Sequence, residues 1–277
     1  MKPQNVGRLP DFVVVGAMRS GSSSVFRYLA DHPGVFMATP KELHFFDASY
    51  DRGLDWYRDC FADAQPQQLA GEATPTYLGD PGALSRLTTD VPNVKMLAVL
   101  RDPVDRAYSH YWMRHARGRE NRAWDDVVDD ELREHDPGGY LAGSAYSGQL
   151  RILFDLSPRS HCHVFPFEAL RDSPTATFLD ICTFLGIERC APSSVGRQVN
   201  AHMHIRSSTL RRLAKARGVP ARLRNAVAKF NQTEVEYPAM ASDTRRRLES
   251  HLSEERRAVP ALLGWPTNPW SPPSSMQ

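Results

Sequence analysis

The sequence predicts an α/β fold, in which helices flank a central parallel β-sheet and the C-terminal region is helical. Three observations support this: apolar stretches alternate with helix-like segments, a small-residue loop follows the first stretch, and a long apolar run ends at Arg101. Strands that alternate with helices need crossover connections, which build parallel sheets. The 277 residues are 41% apolar and 24% charged, as in ordinary globular proteins. We expect one domain, with a core over about residues 11–215 and a helical extension over about 207–265.

In the first half, β-branched and apolar residues up to Gly16 predict a buried strand at 11–15, followed by a helix that starts at Ser22. That helix is expected to end before Pro33 and Gly34. The other elements expected here are strands at 35–38, 69–72 and 93–100 and a helix at 54–61. Pro103 can open the helix that then runs towards residue 117, because proline suits the first helical position.

In the second half, an acidic stretch predicts one helix and an apolar run after it predicts a strand. The expected elements are helices at about 123–135, 144–156 and 175–185 and a strand at 162–165. Gly186 is expected to close the third helix. The last third is predicted to be mostly helical, with an extended proline-containing tail.

The loop between the first strand and helix predicts an anion-binding site. Loop amides and a helix N-terminus can point at one phosphate, and glycines at 16 and 21 let the backbone approach it closely. The spacing of these glycines is that of a nucleotide-binding P-loop. The serines Ser20, Ser22, Ser23 and Ser24 can add hydroxyl donors. The alternative is a strand-to-helix turn that binds nothing.

The P-loop lysine is absent, since Ser22 occupies its position. In kinases and ATPases this lysine and magnesium neutralise a triphosphate. Its absence favours a donor with fewer charges at the 5′ end, such as a phosphosulfate.

A second phosphate contact is predicted after the strand at 93–100. Arg101 lies at the carboxyl end of that strand, where open α/β sheets bind ligands. Ser109 follows two helical turns later, so both side chains can reach one phosphate, and arginine binds phosphate through paired, charge-assisted hydrogen bonds. The alternative for Arg101 is a salt bridge with a neighbouring carboxylate.

These motifs resemble the PAPS-dependent sulfotransferases (PAPS is 3′-phosphoadenosine 5′-phosphosulfate), in particular the heparan-sulfate-type and bacterial branch. Residues 41–47, Lys-Glu-Leu-His-Phe-Phe-Asp, and residues 71–77, Gly-Glu-Ala-Thr-Pro-Thr-Tyr, are similar to two segments of the heparan-sulfate-type enzymes. Residues 146–150 and 167–186 match the family's second half, so the resemblance covers about 11–215. Arg19 and Ala73 stand where heparan-type enzymes carry lysines, which weakens the expectation of a heparan-like substrate.

The resemblance implies a P-loop-like α/β fold around a central parallel sheet. It also implies a role for each matching residue. The 5′-phosphosulfate would be held by Arg19, Ser20, Gly21, Ser22 and Ser23, together with Ser24. Arg101 and Ser109 would hold the 3′-phosphate, and Arg206 matches loosely a further basic residue at the cofactor. From residue 197 to 229 there are nine Arg or Lys residues and no Asp or Glu, and this run can equally be a solvated face.

Sulfuryl transfer needs a base for the acceptor hydroxyl and cations for the leaving phosphate. The resemblance gives Glu42 as the base, with His44 and then His110 as rivals, and Arg19 as the stabilising cation. We expect burial near Phe45 and Phe46 to raise the pKa of Glu42. The alternative for Glu42 is an ion pair with Lys41 or an arginine. No metal is expected.

The acceptor is expected to bear a hydroxyl and to be a glycan, a lipid or a small-molecule metabolite. The other functions considered are a small-molecule P-loop kinase and a non-catalytic nucleotide or polyanion binder. We expect no nucleic-acid partner and no transmembrane segment, and the oligomeric state is left undetermined. The four cysteines form no Cys-x-x-Cys pair, so reduced thiols and a cytoplasmic location are expected.

Overall fold

A computed structural model describes residues 7–134, 139–197, 203–205, 232–234 and 237–271. Five strands form one parallel sheet in the order β2-β3-β1-β4-β5. They are β1 Phe12–Gly16, β2 Val35–Met37, β3 Leu69–Ala73, β4 Lys95–Leu100 and β5 Cys162–Pro166. The predicted central parallel sheet is therefore confirmed.

Helices flank this sheet, and their bounds agree with most of the predicted ones. They are α1 Ser22–Ala30, α2 Phe45–Ala48, α3 Gly53–Asp59, α4 Pro81–Asp90, α5 Pro103–Ala116, α6 Trp124–Glu134, α7 Tyr146–Leu156, α8 Phe167–Asp172, α9 Pro174–Leu185, α10 Ser242–His251 and α11 Ser253–Leu263. Helices α2, α4 and α8 were not predicted. The N-terminus of α4 has a clear local cause, since the Asp80 carboxylate accepts a hydrogen bond from the Ala83 amide and Pro81 follows it.

The C-terminal third is less uniformly helical than predicted. β6, Met203–Ile205, pairs antiparallel with β7, Gln232–Glu234. Strands of three residues are too short to give a periodic sequence pattern, which is why the pattern of the surrounding region favoured helix. Residues 198–202 and 206–231 lie outside the described part of the chain.

The sheet is buried on both faces. Val13, Met96 and Ala98 belong to one apolar cluster, and Phe12 and Leu97 belong to another on the opposite face. Successive strand side chains point to opposite faces, so strands buried on both faces are mainly apolar. This explains why residues 96–100 of β4 are all apolar and are easily recognised as a strand.

The two C-terminal helices are attached through ion pairs. Arg245 of α10 lies 2.6 Å from Asp105, and Arg256 of α11 lies 3.1 Å from Asp102, which also caps α5. Thr244 donates a hydrogen bond of 2.6 Å to Asp125 of the acidic helix α6. The acidic stretch of the sequence is therefore a docking face for α10. The single-domain organisation stays a prediction.

In the described ranges, no helix combines the length and the apolar character needed to cross a bilayer. All four cysteines are free thiols. The cytoplasmic location stays a prediction.

Candidate active site

The glycine loop and Arg101 both lie at the carboxyl edge of the sheet. In a parallel sheet all strands end at the same edge, and here β1 leads into the glycine loop, while β4 leads into Arg101. The chain moves to β2 and β3 on one side of β1 and to β4 on the other, so the switch point lies between β1 and β4. Ligands of open α/β sheets bind at such points.

The surroundings of the loop require glycine at both positions. Gly21 has a φ of 102°, in the left-handed region, and a Cβ there would lie 2.9 Å from the Phe167 ring. A Cβ on Gly16 would lie 2.5 Å from Leu78. No acidic residue occupies the first turn of α1. No carboxylate of the helix's own first turn therefore competes with an anion for its positive end.

A hydrogen bond joins the two predicted phosphate contacts. The Arg19 guanidinium donates through Nε to Ser109 Oγ over 3.1 Å, and Ser109 is almost fully buried. Burial lowers the pKa of Arg19, and the nearby cations Arg101, Arg117 and Arg106 lower it further. This concentration of positive charge is suited to an anion such as a phosphate.

Arg101 faces this same crevice. Its Cζ lies 5.2 Å from the centre of the Phe167 ring. In the described ranges Arg101 has no carboxylate within salt-bridge distance, so the alternative interpretation of this residue is not supported. The Tyr146 hydroxyl donates to the Arg101 carbonyl over 3.2 Å and fixes the main chain there.

The serines of the loop and the start of α1 differ in burial. Ser20 and Ser22 are buried, whereas Ser23 and Ser24 are half-buried. Arg206 lies outside the described residues, as does the basic run after Arg197.

Lys41 lies between two predicted site residues, and the sequence analysis assigned it no role at the site. Its Nζ donates to Ser23 Oγ over 3.1 Å and lies 2.7 Å from Oε1 of Glu42. The ion pair considered as an alternative for Glu42 therefore exists. The same ammonium also links the predicted base to Ser23 at the start of α1. The P-loop pattern does not reveal this link, because Lys41 lies 18 positions after Ser23 in the sequence.

Glu42, His44 and Asp47 lie in a row. His44 Nε2 is 3.7 Å from Glu42 Oε2, and His44 Nδ1 is 2.9 Å from Asp47 Oδ2. A carboxylate only accepts, so the bond to Asp47 requires a hydrogen on Nδ1 and turns Nε2 towards Glu42. Asp47 is fixed in turn by Thr76, whose hydroxyl donates to Oδ2 over 2.6 Å. Asp47 was also not assigned from the sequence.

The expected burial of Glu42 is wrong. Phe45 and Phe46 are fully buried, but the Glu42 side chain is 41% exposed. Glu42 and His44 have φ values of 65° and 51°, a left-handed backbone that directs these side chains away from the aromatic core. The two candidate bases are consequently accessible to an acceptor.

His110 is a poor candidate for the base. Burial and the neighbouring cations Arg106, Arg114 and Arg19 lower the pKa of His110 to about 3. Such an imidazole is neutral at pH 7 and binds protons weakly.

In the part of the chain that the structure describes, no three His, Cys, Asp or Glu side chains are grouped as a metal site.

Comparison with known proteins agrees with this geometry. The family described as "Sulfotransferase domain" matches residues 9–252. A sulfotransferase structure from Alicyclobacillus acidocaldarius superposes with a TM-score of 0.73 at 25% identity, over 95% of this chain and 99% of that one. This likeness supports the predicted P-loop-like fold.

Two curated relatives match a shorter part of the chain. Membrane-associated sulfotransferase kil1 of Dictyostelium discoideum is 40% identical over 106 residues, which are 37% of this chain and 22% of that protein. Heparan sulfate glucosamine 3-O-sulfotransferase 3B1 of Homo sapiens is 38% identical over 104 residues, which are 38% of this chain and 26% of that protein. These matches thus cover about a quarter of the relatives' own lengths. On the family match, which covers most of its residues, the chain belongs to the sulfotransferase family.

Proposed function

We propose that this protein transfers the sulfuryl group of PAPS to a hydroxyl of an acceptor, giving a sulfate ester and PAP (3′-phosphoadenosine 5′-phosphate). The observation that carries the proposal is the 3.1 Å hydrogen bond from Arg19 to Ser109, which joins the two anion-binding elements at the switch point. A donor with a phosphate at each end of its nucleoside matches two such elements in one crevice.

In this proposal the loop and the start of α1 bind the 5′-phosphosulfate. Arg19, Lys41 and the N-terminus of α1 supply the positive charge there, and the serine hydroxyls donate hydrogen bonds. Arg101 and Ser109 bind the 3′-phosphate. The Arg101 guanidinium fits this role because it has no carboxylate partner in the described ranges and can make paired bonds to phosphate oxygens.

The transfer is an in-line displacement at sulfur. The Glu42 carboxylate takes the proton of the acceptor hydroxyl, whose oxygen forms the new O–S bond. The bond between sulfur and the bridging oxygen breaks, and that oxygen leaves with the electron pair on the 5′-phosphate of PAP. Arg19 and Lys41 stabilise the charge that develops on the leaving group.

His44 supports the base in this scheme. Held by Asp47, it presents Nε2 to Glu42 at 3.7 Å and can share the proton that Glu42 receives. Because both side chains are partly exposed, the proton can pass on to solvent. The rival assignment is that His44, and not Glu42, takes the proton of the acceptor.

The proposed acceptor is a hydroxyl-bearing glycan, lipid or small-molecule metabolite. One relative is named for heparan sulfate glucosamine, which makes a glycan the first class to test. Arg19 and Ala73 replace two lysines of the heparan-type enzymes, and Ala73 is fully buried at the end of β3. Acceptors other than heparan therefore belong in the same screen.

The test is transfer from ³⁵S-labelled PAPS to a panel of a desulfated glycan, a hydroxylated lipid and a phenol, with release of PAP measured in parallel. We expect the wild type to transfer label to an acceptor. Glu42→Gln should lose this transfer, and Glu254→Gln should keep it. Glu254 is a suitable control because it is exposed on α11. Phosphate transfer from ATP with magnesium, and none from PAPS, would contradict the proposal and favour a kinase.

A further inference from the structure

Glu72 of β3 is a buried carboxylate, and its hydrogen-bond donors in the described ranges are three neutral hydroxyls. The residue is 1% exposed. Its Oε1 accepts from the hydroxyls of Tyr57 at 3.0 Å and Tyr77 at 3.2 Å. Its Oε2 accepts from the Thr74 hydroxyl at 2.6 Å. A carboxylate is costly to bury, so its presence beside the site calls for a role that an apolar side chain cannot fill.

Two of these hydroxyls connect Glu72 to the segment that carries the candidate base. Thr74 Oγ1 accepts the His44 amide over 3.4 Å, and the Tyr77 hydroxyl accepts the Phe46 amide over 3.2 Å. A hydroxyl has one hydrogen, which here points to Glu72. The oxygen lone pairs therefore face the main-chain amides, and the carboxylate sets the direction of both bonds.

The supported segment needs such bonds because its backbone is strained. The left-handed φ values of Glu42 and His44 are unfavourable for residues with a Cβ, and such conformations persist where the surroundings enforce them. Besides the two amide bonds, the Glu42 amide donates to the Ala73 carbonyl over 3.1 Å. The segment is therefore held by Ala73 at the end of β3 and by Thr74 and Tyr77 after it, and Arg86 of α4 adds a hydrogen bond of 2.7 Å to the Phe46 carbonyl.

We propose that Glu72 is a positioning residue for the transfer reaction. Its ionised carboxylate keeps two hydroxyls oriented as acceptors, and those hydroxyls hold His44 beside Glu42. The inference rests on the proposed function, since it assumes that this segment carries the base.

The charge state of Glu72 is part of this role. Burial raises the pKa of Glu72 to about 6, against the opposing effect of the three hydroxyl bonds, and the group is ionised at pH 7. The titratable groups that face it are Tyr57 from α3, Cys60 directly after α3, Tyr77, and Asp47 from α2. A protonated carboxyl has an O–H donor in place of one acceptor, so at least one hydroxyl must then turn.

Glu72→Gln imitates this change without altering the shape of the side chain. The amide NH₂ must donate either to Thr74, where it competes with the His44 amide, or to the tyrosine hydroxyls. We expect amide hydrogen exchange at His44 or Phe46 to accelerate by at least about tenfold, and transfer to slow by a similar factor. PAP affinity should stay within about twofold, because Arg19 and Arg101 lie on other elements.

Two tyrosines provide a matched pair of variants. Tyr57→Phe and Tyr77→Phe each remove one hydroxyl from Oε1 of Glu72, but only the Tyr77 hydroxyl also accepts a main-chain amide. We expect exchange at Phe46 to accelerate in Tyr77→Phe and to change by less than about twofold in Tyr57→Phe.

The deciding experiment measures residue-resolved hydrogen exchange, PAP affinity and transfer from PAPS for the wild type and the three variants. Amides of β4 report whether each variant is folded. Faster exchange confined to residues 44–46, with PAP affinity kept and transfer reduced, supports the proposal. It is overturned if exchange and transfer in folded Glu72→Gln equal those of the wild type, or if both tyrosine variants behave alike. Loss of PAP binding or of transfer in the wild type would count against the proposed function instead, and the exchange data would still decide whether Glu72 holds the segment.

Discussion

Replacing Glu72 by glutamine should change how the stability of the protein depends on pH. The pKa of Glu72 in the folded protein is about 6, against an ordinary value of 4.5, because burial disfavours the charged form. Between these two values the folded protein binds a proton that the unfolded chain releases. The stability contributed by this proton is fully present below about pH 4.5 and is lost as the pH rises through 6. Glutamine has no such proton.

The size of the effect follows from the difference between the two pKa values. A difference of about 1.5 pH units corresponds to about 2 kcal/mol, at about 1.36 kcal/mol for each unit. The free energy of unfolding of the wild type, relative to Glu72→Gln, should therefore fall by about 2 kcal/mol between pH 4 and pH 7. The wild type would thus pay in stability for an ionised group that the reaction uses.

Urea unfolding of both proteins at several pH values, followed by tryptophan fluorescence, measures this change. Exposed Glu254→Gln is the control, and its difference from the wild type should stay nearly constant over the same range. A wild type that gains stability relative to Glu72→Gln as the pH rises would refute the reasoning, because it would mean that the folded protein favours the ionised form.

Three further substitutions test the site. Arg101→Ala should weaken PAP binding by about 2 kcal/mol in a calorimetric titration, because a charge-assisted phosphate contact is lost. Glu42→Gln should keep PAP affinity and nearly abolish label transfer from PAPS, because the amide cannot take the acceptor proton. Lys41→Met should lower the turnover number about tenfold or more and PAP affinity less, because its ammonium links Glu42 to the phosphate loop but does not contact Arg101.

Each of these predictions has a control and a contradicting outcome. Arg27→Ala, on the exposed side of α1, should leave PAP affinity unchanged, and an equal affinity in Arg101→Ala would remove Arg101 from the 3′-phosphate site. Near-normal turnover in Glu42→Gln would make His44 the base. Unchanged turnover in Lys41→Met would mean that Lys41 forms its ion pair with Glu42 but does not stabilise the leaving group.

The strands and the phosphate loop were predictable because their causes are local. Burial on both faces makes residues 96–100 of β4 an unbroken apolar run. The loop needs glycine at 21 for a left-handed backbone and at 16 because a Cβ there would meet Leu78. Helix α4 was missed although Asp80 and Pro81 mark its start, because Gly82 in its first turn is typical of a loop and its second half, from Ser85 to Asp90, is mostly polar.

The contacts of Lys41, Asp47 and Glu72 were not predictable because they depend on tertiary structure. Lys41 reaches Ser23 across 18 positions of the chain, and Glu72 is surrounded by hydroxyls from α3 and from the stretch after β3. The burial of Glu42 was predicted wrongly for the same reason. Its neighbours in sequence are core aromatics, but its left-handed backbone turns the side chain outwards.

The central claim is that the crevice between β1 and β4 binds a nucleotide with phosphates at its 3′ and 5′ positions. The most direct test is calorimetric titration of the purified protein with PAP in the absence of metal, beside ATP with magnesium. The account predicts PAP binding with a Kd of micromolar order and much weaker binding of ATP. Tight ATP binding with no heat from PAP would contradict the account. It would indicate that the glycine loop binds a triphosphate, as in a kinase.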